Sequence, residues 1–370
     1  MSLFQIDAGK EWRGGQRQAL LLAQELNRRE YDSFLCVQPK SPLLQKAVAA
    51  GLPVFPLKIR SEIDLLAVLK LSMGMKKRKG VLVHSHDAHA AAIGLMAASL
   101  ARVPLRIVSR RVDFPLHKNF LSRLKYGNKV DRIIAISKGV KKSLIMSGVN
   151  SKKIDIIPSG IDFSPHKEAS SSDYLRKELS LSSKDYLVGI VAHLSDHKGH
   201  KYLIEAARLL REQAPSIKII IVGEGPLRME LTRQVSSSHL ENVVFFLGFR
   251  EDIPRILNSL DLFVLSSFKE GMGSSLLDAM ACRLPVVATK VGGIPEVVAH
   301  RETGLLVSPK NSRALARAVL SLYADKDFAA QLGQRGYEAV HEKFSAQAMA
   351  EEIIRVYEGL AVNKGLHLRG

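Results

Sequence analysis

The sequence predicts an α/β protein built from two doubly wound parallel sheets that face each other across a crevice. Short apolar runs alternate with amphipathic helical stretches along the chain, a pattern typical of parallel α/β architecture. At 370 residues the chain is too long for one ordinary core and suits two domains of about 150 to 200 residues each. The alternation is interrupted between Phe163 and Asp185 by a polar stretch containing Ser170-Ser-Ser172. We therefore expect two domains joined by a linker, with ligands outside the carboxyl ends of the strands.

The first half of the chain contains seven apolar runs of strand length. Two helical stretches, Gln16–Arg29 and Ala88–Ala101, are the clearest of those that separate them. The predicted strands are Leu3–Ile6, Ser33–Val37, Val54–Pro56, Val81–His84, Arg106–Ser109, Arg132–Ile136 and Ile154–Ile157.

The second half begins a new set of strands and ends in a helix, with Met349, Ile353 and Tyr357 at helical spacing. The predicted strands are Tyr186–Ala192, Lys218–Val222, Val243–Leu247, Leu262–Leu265, Val286–Ala288 and Leu305–Val307. The predicted organisation is therefore an N-terminal domain (1–165), a linker (166–185), a C-terminal domain (186–345), a helix (346–362) and a tail (363–370).

Positive charge is concentrated in the N-terminal half. Residues 1–150 hold 26 Lys and Arg against 10 Asp and Glu, a net charge of +16, while residues 151–370 carry a net of +2. This asymmetry indicates that the N-terminal domain faces something anionic, such as a membrane surface or a phosphorylated glycan. A solvated basic face without a partner is the structural alternative. Nucleic acid is disfavoured, because aromatic residues are only 6% of the chain and no reading motif is present.

The chain has the features of a protein of a reducing compartment. Its two cysteines, Cys36 and Cys282, lie in apolar strand or helix contexts and are expected to be buried thiols. The segment Met1–Asp7 lacks the basic and apolar regions of a signal peptide. The longest apolar run, Ala88–Ala101, is too short to cross a bilayer. We expect a cytoplasmic protein whose contact with the inner face of the membrane is peripheral.

The most informative segment follows the strand Leu262–Leu265. It reads Glu270-Gly-Met-Gly-Ser-Ser-Leu-Leu-Asp278 and leads from a loop with an acid and two glycines into a helix opened by Ser274 or Ser275. A serine at a helix start caps free backbone N–H groups, and a helix N-terminus is a natural seat for a phosphate. Glu270 is expected at the edge of that seat, and Asp278 about one turn inside the helix, where it could accept hydrogen bonds from a ribose.

This segment resembles the acid-x7-acid signature of the retaining glycosyltransferases of family 4, and the resemblance extends over nearly the whole chain. It implies a GT-B fold, with two Rossmann-like domains and a C-terminal helix that crosses back to the N-terminal domain. It also implies transfer of a sugar from a nucleotide-diphosphate sugar, with UDP the most frequent nucleotide, and neither a metal nor another cofactor. Glu270 would contact the donor sugar, the amides of Gly271, Gly273, Ser274 and Ser275 would hold sugar or phosphate oxygens, and Asp278 would replace the usual glutamate.

Three further loops resemble the nucleotide-binding loops of the family. The stretch His193-Leu-Ser-Asp-His-Lys198-Gly199 matches the diphosphate loop, with Lys198 at the position of the family lysine and His193 in place of its arginine. Histidine is charged or neutral according to its surroundings, so a pH dependence is expected. Gly225 and Phe249 lie in two loops that resemble those lining the nucleotide pocket.

In the N-terminal domain, Gly15 and His86 match positions that approach the phosphate or the transferred sugar in the family. Strand alternation directs His84 and His86 to the same side, and His84 is expected to pack into the core. A metal site formed by His84, His86 and His89 is a weaker alternative, because no second cluster of ligands accompanies it. Arg110 and Arg111 are candidates for binding phosphate or carboxylate groups of the acceptor.

The leading hypothesis is a retaining glycosyltransferase with Glu270, His86 and Lys198 as catalytic residues. The basic N-terminal half suggests a lipid-linked or phosphorylated acceptor, such as a lipopolysaccharide core or another glycolipid of the bacterial cell envelope. Three alternatives remain open. They are a GT-B nucleotide-sugar epimerase, a non-catalytic basic binding protein, and a relative that binds the donor without transferring it.

Overall fold

The computed structural model describes residues 1–116, 122, 125–168 and 173–368. The serine run Ser170-Ser-Ser172 and the last two residues of the expected tail lie outside these ranges. The described chain forms two compact units, one of residues 1–160 and 346–370 and the other of residues 161–345. Among the described residues, none of the helices combines the length and the apolar character needed to span a bilayer.

The first unit contains a seven-stranded parallel sheet with the strand order β3-β2-β1-β4-β5-β6-β7. Its strands are β1 Ser2–Asp7, β2 Ser33–Val37, β3 Val54–Pro56, β4 Gly80–Ser85, β5 Leu105–Arg110, β6 Arg132–Ala135 and β7 Ile154–Ile156. Its described helices of eight or more residues are α1 Gly14–Arg28, α2 Pro42–Ala49, α3 Leu65–Lys77, α4 Ala88–Ala101, α5 Lys138–Met146 and the C-terminal helix Ala346–Val362.

Both faces of this sheet are covered by helices. Successive strand residues point to opposite sides, so each strand contributes side chains to two apolar layers. On one face, Leu3 and Leu82 pack with α1 and with the C-terminal helix. On the other face, their neighbours Phe4 and Val83 pack with α3 and α4. The neighbouring strands β1 and β4 are paired so that Phe4 lies beside Val83, which keeps each apolar set on its own face.

The C-terminal helix packs on the first unit, as predicted. Tyr357 is fully buried, and its hydroxyl lies 2.5 Å from Nδ1 of His84 in β4. At the helix surface, Tyr31 Oη donates to Glu358 at 2.6 Å, and Arg29 pairs with Glu351 at 2.8 Å. The helix thus completes one face of the first sheet.

The second unit contains a six-stranded parallel sheet with the order β10-β9-β8-β11-β12-β13. Its strands are β8 Tyr186–Val191, β9 Ile217–Val222, β10 Val244–Gly248, β11 Leu262–Leu265, β12 Val286–Thr289 and β13 Leu305–Val307. Its described helices are Ser164–Glu168, Tyr174–Glu178, His200–Gln213, Arg228–Ser237, Ile253–Leu257, Ser274–Ala281, Ile294–Val297, Ser312–Ala324 and Lys326–Lys343.

The α/β fold class predicted from the sequence is confirmed, and the predicted strands match observed ones with ends that differ by no more than one residue. The described part of the segment 166–185 lies in the second unit. There Leu175 is fully buried and Arg176 pairs with Asp261 at 2.6 Å. Both cysteines are free, Cys36 buried and Cys282 half-buried.

Candidate active site

In the second unit, the loop between β11 and the helix Ser274–Ala281 sets the position of the helix N-terminus. The residue before the helix is Gly273, with φ of +80°, and a Cβ on it would lie 2.9 Å from Cδ2 of Leu265. Only glycine adopts this conformation readily and fits the space. The expectation that Ser274 or Ser275 caps the helix is therefore wrong, since the cap residue is Gly273, which has no side chain to bond to the first-turn amides. Those amides give this end of the helix a partial positive charge.

Beside this helix start, Lys198 and Glu270 are in direct contact. The Nζ of Lys198 lies 2.5 Å from Oε2 of Glu270, and the Oγ of Ser267 donates to the same oxygen at 3.2 Å. The two charged side chains retain 20% and 13% of their exposure, so the pair is reachable from solvent. The structure thus brings together two residues that the sequence analysis assigned to phosphate and sugar.

The loops that carry this pair are bonded to each other. The amide of Phe268 donates to the carbonyl of His197 at 2.9 Å, and Oγ of Ser266 donates to the carbonyl of Lys198 at 3.0 Å. Gly199 has φ of +68°, and a Cβ there would lie 2.2 Å from the carbonyl oxygen of Ser266. This close backbone approach fixes Lys198 relative to Glu270 before any ligand binds.

The loops after β8, β9 and β10 are joined in the same way. The amide of Leu194 donates to the carbonyl of Glu224 at 2.9 Å, and a Cβ on Gly225 would lie 2.5 Å from the carbonyl oxygen of Leu194. His193, next in the chain to Leu194, is half-buried. Phe249 follows β10 and is 55% exposed. Three adjacent strand ends therefore present an imidazole, a close-packed glycine and an accessible aromatic ring.

Asp278 lies in the second turn of the helix Ser274–Ala281 and is only 7% exposed. Its Oδ1 lies 3.2 Å from Nε2 of His166, in the helix Ser164–Glu168. Sequence reasoning missed His166, because it falls in the stretch taken for a linker. Nothing in its spacing connects it to Asp278.

In the first unit, His84 and His86 are buried at the carboxyl end of β4. His84 also bonds through Nε2 to Oγ of Ser109 at 2.8 Å, and His86 bonds through Nε2 to Oε1 of Gln5 at 3.2 Å. Burial lowers the pKa of His84 to about 3, and burial followed by the neighbouring His84 lowers the pKa of His86 well below its usual range. His86 is therefore a neutral hydrogen-bonding group. Within the described ranges, no group of three or more His, Cys, Asp or Glu is placed to hold a metal ion.

At the carboxyl ends of β1 and β5, Asp7 and Arg111 form one polar cluster with Gln16 of α1. Asp7 accepts from Nε2 of Gln16 at 2.9 Å and from the amide of Gly9 at 2.8 Å. Burial, and after it the charge of Asp87, raises the pKa of Asp7 to about 6. Burial lowers the pKa of Arg111 to about 10. Asp7 and Gln16 were missed in the sequence because neither belongs to a recognisable motif.

The other residues predicted for the first unit have mainly local contacts. Gly14 and Gly15 form the first turn of α1, and a Cβ on Gly15 would lie 3.7 Å from Cδ of Arg111, an ordinary contact. Arg110 donates to the carbonyls of Val112 and Phe114 at 3.1 and 2.7 Å, which orders its own loop.

The structure contains two doubly wound parallel sheets, and the second has a lysine–glutamate pair beside a helix start at its carboxyl edge. These features define a GT-B type of α/β protein. The sequence model of "Glycosyltransferase Family 4" matches residues 12–164, and that of "Glycosyl transferases group 1" matches residues 171–339. The chain therefore belongs to glycosyltransferase family 4, and it is a glycosyltransferase.

Individual relatives agree with this assignment. The chain is 28% identical over 331 residues to the UDP-Gal:alpha-D-GlcNAc-diphosphoundecaprenol alpha-1,3-galactosyltransferase of Escherichia coli, with 85% of each chain covered. It is 30% identical over 190 residues to the N-acetyl-alpha-D-glucosaminyl L-malate synthase of Bacillus anthracis, a match that covers 50% of each chain. The crystal structure of HepE from Anabaena in complex with UDP and glucose superposes with a TM-score of 0.87 at 23% identity, covering 97% of this chain and 100% of that one.

Proposed function

We propose that this protein is a retaining glycosyltransferase that moves a sugar from a UDP-sugar to a lipid-linked or phosphorylated glycan, such as a lipopolysaccharide core or another bacterial surface glycolipid. The observation that carries the proposal is the contact of Lys198 with Glu270 beside the start of the helix Ser274–Ala281. A cation and a helix N-terminus that meet at one point form a site for a diphosphate. The carboxylate beside them can bind the hydroxyls of the attached sugar.

The choice of UDP and of a glycan acceptor is supported by relatives. The Escherichia coli enzyme is named for a UDP-galactose donor and a diphosphoundecaprenol-linked acceptor. HepE was crystallised with UDP and glucose. Further relatives are named for the biosynthesis of capsular polysaccharide in Staphylococcus aureus and of colanic acid in Escherichia coli.

The donor would be held by the carboxyl edge of the second sheet. Lys198 and the amides of Ser274 and Ser275 would bind the diphosphate, with His193 as a second donor of hydrogen bonds. Phe249 offers an exposed ring beside the base, and Asp278 would bind the ribose. Gly271, Gly273 and Gly225 shape these loops, and Gly15 and His86 of the first unit are proposed to contact phosphate or sugar.

In the proposed reaction, the bond between the anomeric carbon and the diphosphate oxygen breaks while the acceptor oxygen attacks from the same face of the sugar. The proton of the acceptor hydroxyl passes to the departing phosphate oxygen. Lys198 stabilises the charge that develops on that phosphate, because a fixed cation in a partly dehydrated site stabilises the transition state more than the ground state. Glu270 orients the sugar. The nucleotide-sugar is a co-substrate, and we propose that no metal or other cofactor takes part.

For the acceptor side we propose a role of the first unit at the cytoplasmic face of a membrane, with Arg110 and Arg111 as candidate ligands of acceptor phosphates. Helix α3 supports this placement. Its side chains Leu65, Leu66, Leu69 and Met73 are between 49% and 69% exposed, an unusual set of apolar groups for a surface helix.

Residues 58–79 around this stripe contain seven Lys and Arg against two acids. An apolar stripe with basic residues on its borders matches an anionic lipid surface, where the apolar groups enter the interface and the cations meet the headgroups. We call Leu65, Leu66, Leu69 and Met73 the α3 stripe.

The nucleotide is tested by thermal unfolding with UDP, GDP and ADP in parallel, in a metal-free buffer. A ligand at about 100 times its dissociation constant stabilises the folded state by about 2.7 kcal/mol. We expect stabilisation by UDP and a reduced effect in Lys198→Ala, while Lys201→Ala, an exposed lysine on the following helix, serves as the matched control. A response to GDP or ADP instead would change the donor class, and no response to any of them would refute the site.

Retention is tested on the product. With an α-linked donor, NMR of the new glycosidic linkage should show an α anomer, and a β anomer would contradict the proposed face of attack. An isomerised sugar nucleotide formed without acceptor would favour the epimerase alternative.

A further inference from the structure

Arg250 is the centre of a set of charge-assisted hydrogen bonds in the second unit. Its Nη1 donates to Oε1 of Glu178 at 2.6 Å, and its Nε and Nη2 donate to the two carboxylate oxygens of Asp252 at 2.8 and 2.7 Å. Nη2 also donates to the hydroxyl of Tyr174, which in turn donates to Asp252 at 2.8 Å. We call Tyr174, Glu178, Arg250 and Asp252 the Arg250 network.

The charges and the geometry of this network make it rigid. Hydrogen bonds from Arg250 lower the pKa of Asp252 to about 2 and hold the pKa of Glu178 below its usual range, so both carboxylates are ionised at neutral pH. An isolated ion pair at the surface contributes little, because its two long side chains must be ordered for one contact. Here a planar guanidinium, only 19% exposed, bonds to two carboxylates and a hydroxyl at once, which fixes its direction.

The network connects two segments that are far apart in the chain. Tyr174 and Glu178 are the first and last residues of a short helix within the stretch predicted to be a linker, whereas Arg250 and Asp252 follow β10. The ring of Tyr174 is held from another side as well, since the guanidinium of Arg255 lies 3.7 Å from its centroid. The short helix is thus part of the support of the loop after β10.

The residue that this loop presents is Phe249. Before it, Gly248 has φ of +69°, its carbonyl accepts from the amide of Gly223 at 2.8 Å, and a Cβ on it would lie 2.8 Å from Oε1 of Glu224. After it comes Arg250 with its network. The backbone is therefore fixed on both sides of a ring that is 55% exposed. Every other described phenylalanine and tyrosine of the second unit is buried or half-buried.

We propose that Arg250 is a positioning residue, which through its network holds the loop of Gly248 and Phe249 in the conformation that presents the Phe249 ring to the base of the donor nucleotide; this inference rests on the function proposed above. Stacking requires a defined position and angle of the aromatic ring. A ring whose backbone is fixed in advance loses less conformational freedom when the ligand binds. The bonds of the network are made within the protein, so they act on the nucleotide through the ring.

The test is a double-mutant cycle of Arg250 and Phe249, with the affinity for UDP measured by titration calorimetry. We expect Phe249→Ala to weaken binding about tenfold, within the range of a base stacked on an aromatic ring. Arg250→Met should weaken it about fivefold, a part of the same stacking contribution. The double variant Arg250→Met/Phe249→Ala should bind no more weakly than Phe249→Ala, because the two residues act as one unit. Additive losses would overturn the proposal, and so would unchanged affinity in either single variant.

Two further variants guard against misfolding and unspecific damage. Tyr174→Phe removes one hydroxyl of the network but keeps the ring beneath Arg255, and it should weaken UDP about threefold. Arg233→Met changes an exposed arginine of the helix Arg228–Ser237 and should leave the affinity unchanged. Equal losses in Arg233→Met and Arg250→Met would mean that the network has no specific role.

A ligand without a base separates positioning from a purely structural role. Ribose 5-diphosphate keeps the ribose and the diphosphate of UDP, and its affinity, measured by displacement of UDP, should be the same in the wild type, Arg250→Met and Tyr174→Phe. A loss as large as that for UDP would show that the network merely supports the fold. If the wild type did not bind UDP, the proposed donor would fail together with this inference. UDP binding that is weakened in Phe249→Ala but not in Arg250→Met would overturn this inference alone.

Discussion

The hydroxyl of Tyr357 and Nδ1 of His84 lie 2.5 Å apart, both fully buried, and join the C-terminal helix to the fourth strand of the first sheet. The other ring nitrogen of His84 is bonded to Ser109 in the neighbouring strand. One imidazole therefore connects two strands and the helix that covers them. Because burial lowers the pKa of His84 and raises that of Tyr357, both groups are neutral and can share the bond without a charge.

Tyr357→Phe should lower the free energy of unfolding by about 1 to 3 kcal/mol, because the buried Nδ1 of His84 loses its partner. The measurement is chemical denaturation followed by circular dichroism. Tyr31→Phe is the control, since it removes the bond of the same helix to the segment between α1 and β2, where the acceptor Glu358 is only half-buried, and its effect should be smaller. Equal losses of unfolding free energy in both variants would show that burial of the His84 bond adds nothing to stability.

Lys198→Ala should lower kcat by about 100- to 1000-fold, as expected for removal of a fixed group that stabilises transition-state charge. Glu270→Ala should reduce transfer as well, and both variants should remain folded, because their side chains are only partly buried. The comparison variant is Lys201→Ala, whose ammonium pairs with Asp196. Full activity in Lys198→Ala and Glu270→Ala would exclude this pair from the site.

Asp7 should make stability depend on pH between about 4 and 6. Its pKa is raised to about 6 in the folded state, so the folded protein binds this proton more tightly than the unfolded chain does. The contribution is fully present below the unfolded value of 3.8 and is lost as the pH rises through the folded value. Asp7→Asn should reduce the change in unfolding free energy over this pH range by up to about 3 kcal/mol. Identical pH profiles of the unfolding free energy in wild type and variant would contradict the shift.

Two glycine-to-alanine changes should have opposite effects. Gly199→Ala places a Cβ 2.2 Å from the carbonyl oxygen of Ser266 at a φ of +68°, so the loop carrying Lys198 must move. We expect lower stability, by about 1 to 3 kcal/mol, and weaker binding of nucleotide. Gly359→Ala lies in the exposed face of the C-terminal helix with no atom within 4 Å of the new Cβ, and should raise stability by about 0.5 to 1 kcal/mol. Differential scanning calorimetry of the two variants tests both expected changes in stability.

The α3 stripe should mediate binding to anionic lipid. Leu66→Gln combined with Leu69→Gln should abolish sedimentation with vesicles containing phosphatidylglycerol, and folding should be unaffected because both side chains are exposed. Met229→Gln, at a 70% exposed methionine of the second unit, is the matched control. High salt should weaken binding by the wild type. Failure of the wild type to sediment with these vesicles would refute the membrane placement.

Much of the fold could be read from the sequence because most of the buried parallel strands are predominantly apolar runs. Both faces of such a sheet are packed against helices, so every residue of a strand such as Ser2–Asp7 is buried and no exposed polar position interrupts the strand pattern. The assignment of both Lys198 and Glu270 to the donor site came from their places after predicted strands, together with the resemblance to a family.

The remaining features depend on contacts between residues that are far apart in the chain. The partnership of His166 with Asp278 and that of Asp7 with Gln16 exist only after the sheets have formed. The cap at Gly273 was missed because serine is the stronger cap former, whereas the left-handed conformation imposed by packing against Leu265 excludes any side chain. The exposure of the α3 stripe was missed for another reason, since an apolar helix side chain is expected to be covered.

The covering of the first sheet by the C-terminal helix has a consequence for synthesis on the ribosome. The first unit is discontinuous in sequence, and residues 161–345 must be made before its last helix leaves the exit tunnel. At about 5 to 20 residues per second this interval lasts roughly 10 to 40 seconds. During that time Leu3, Leu82 and Ile107 lack part of their apolar cover. The second unit, although made later, is therefore the first whose chain is complete, and the nascent N-terminal half is the natural client of a chaperone.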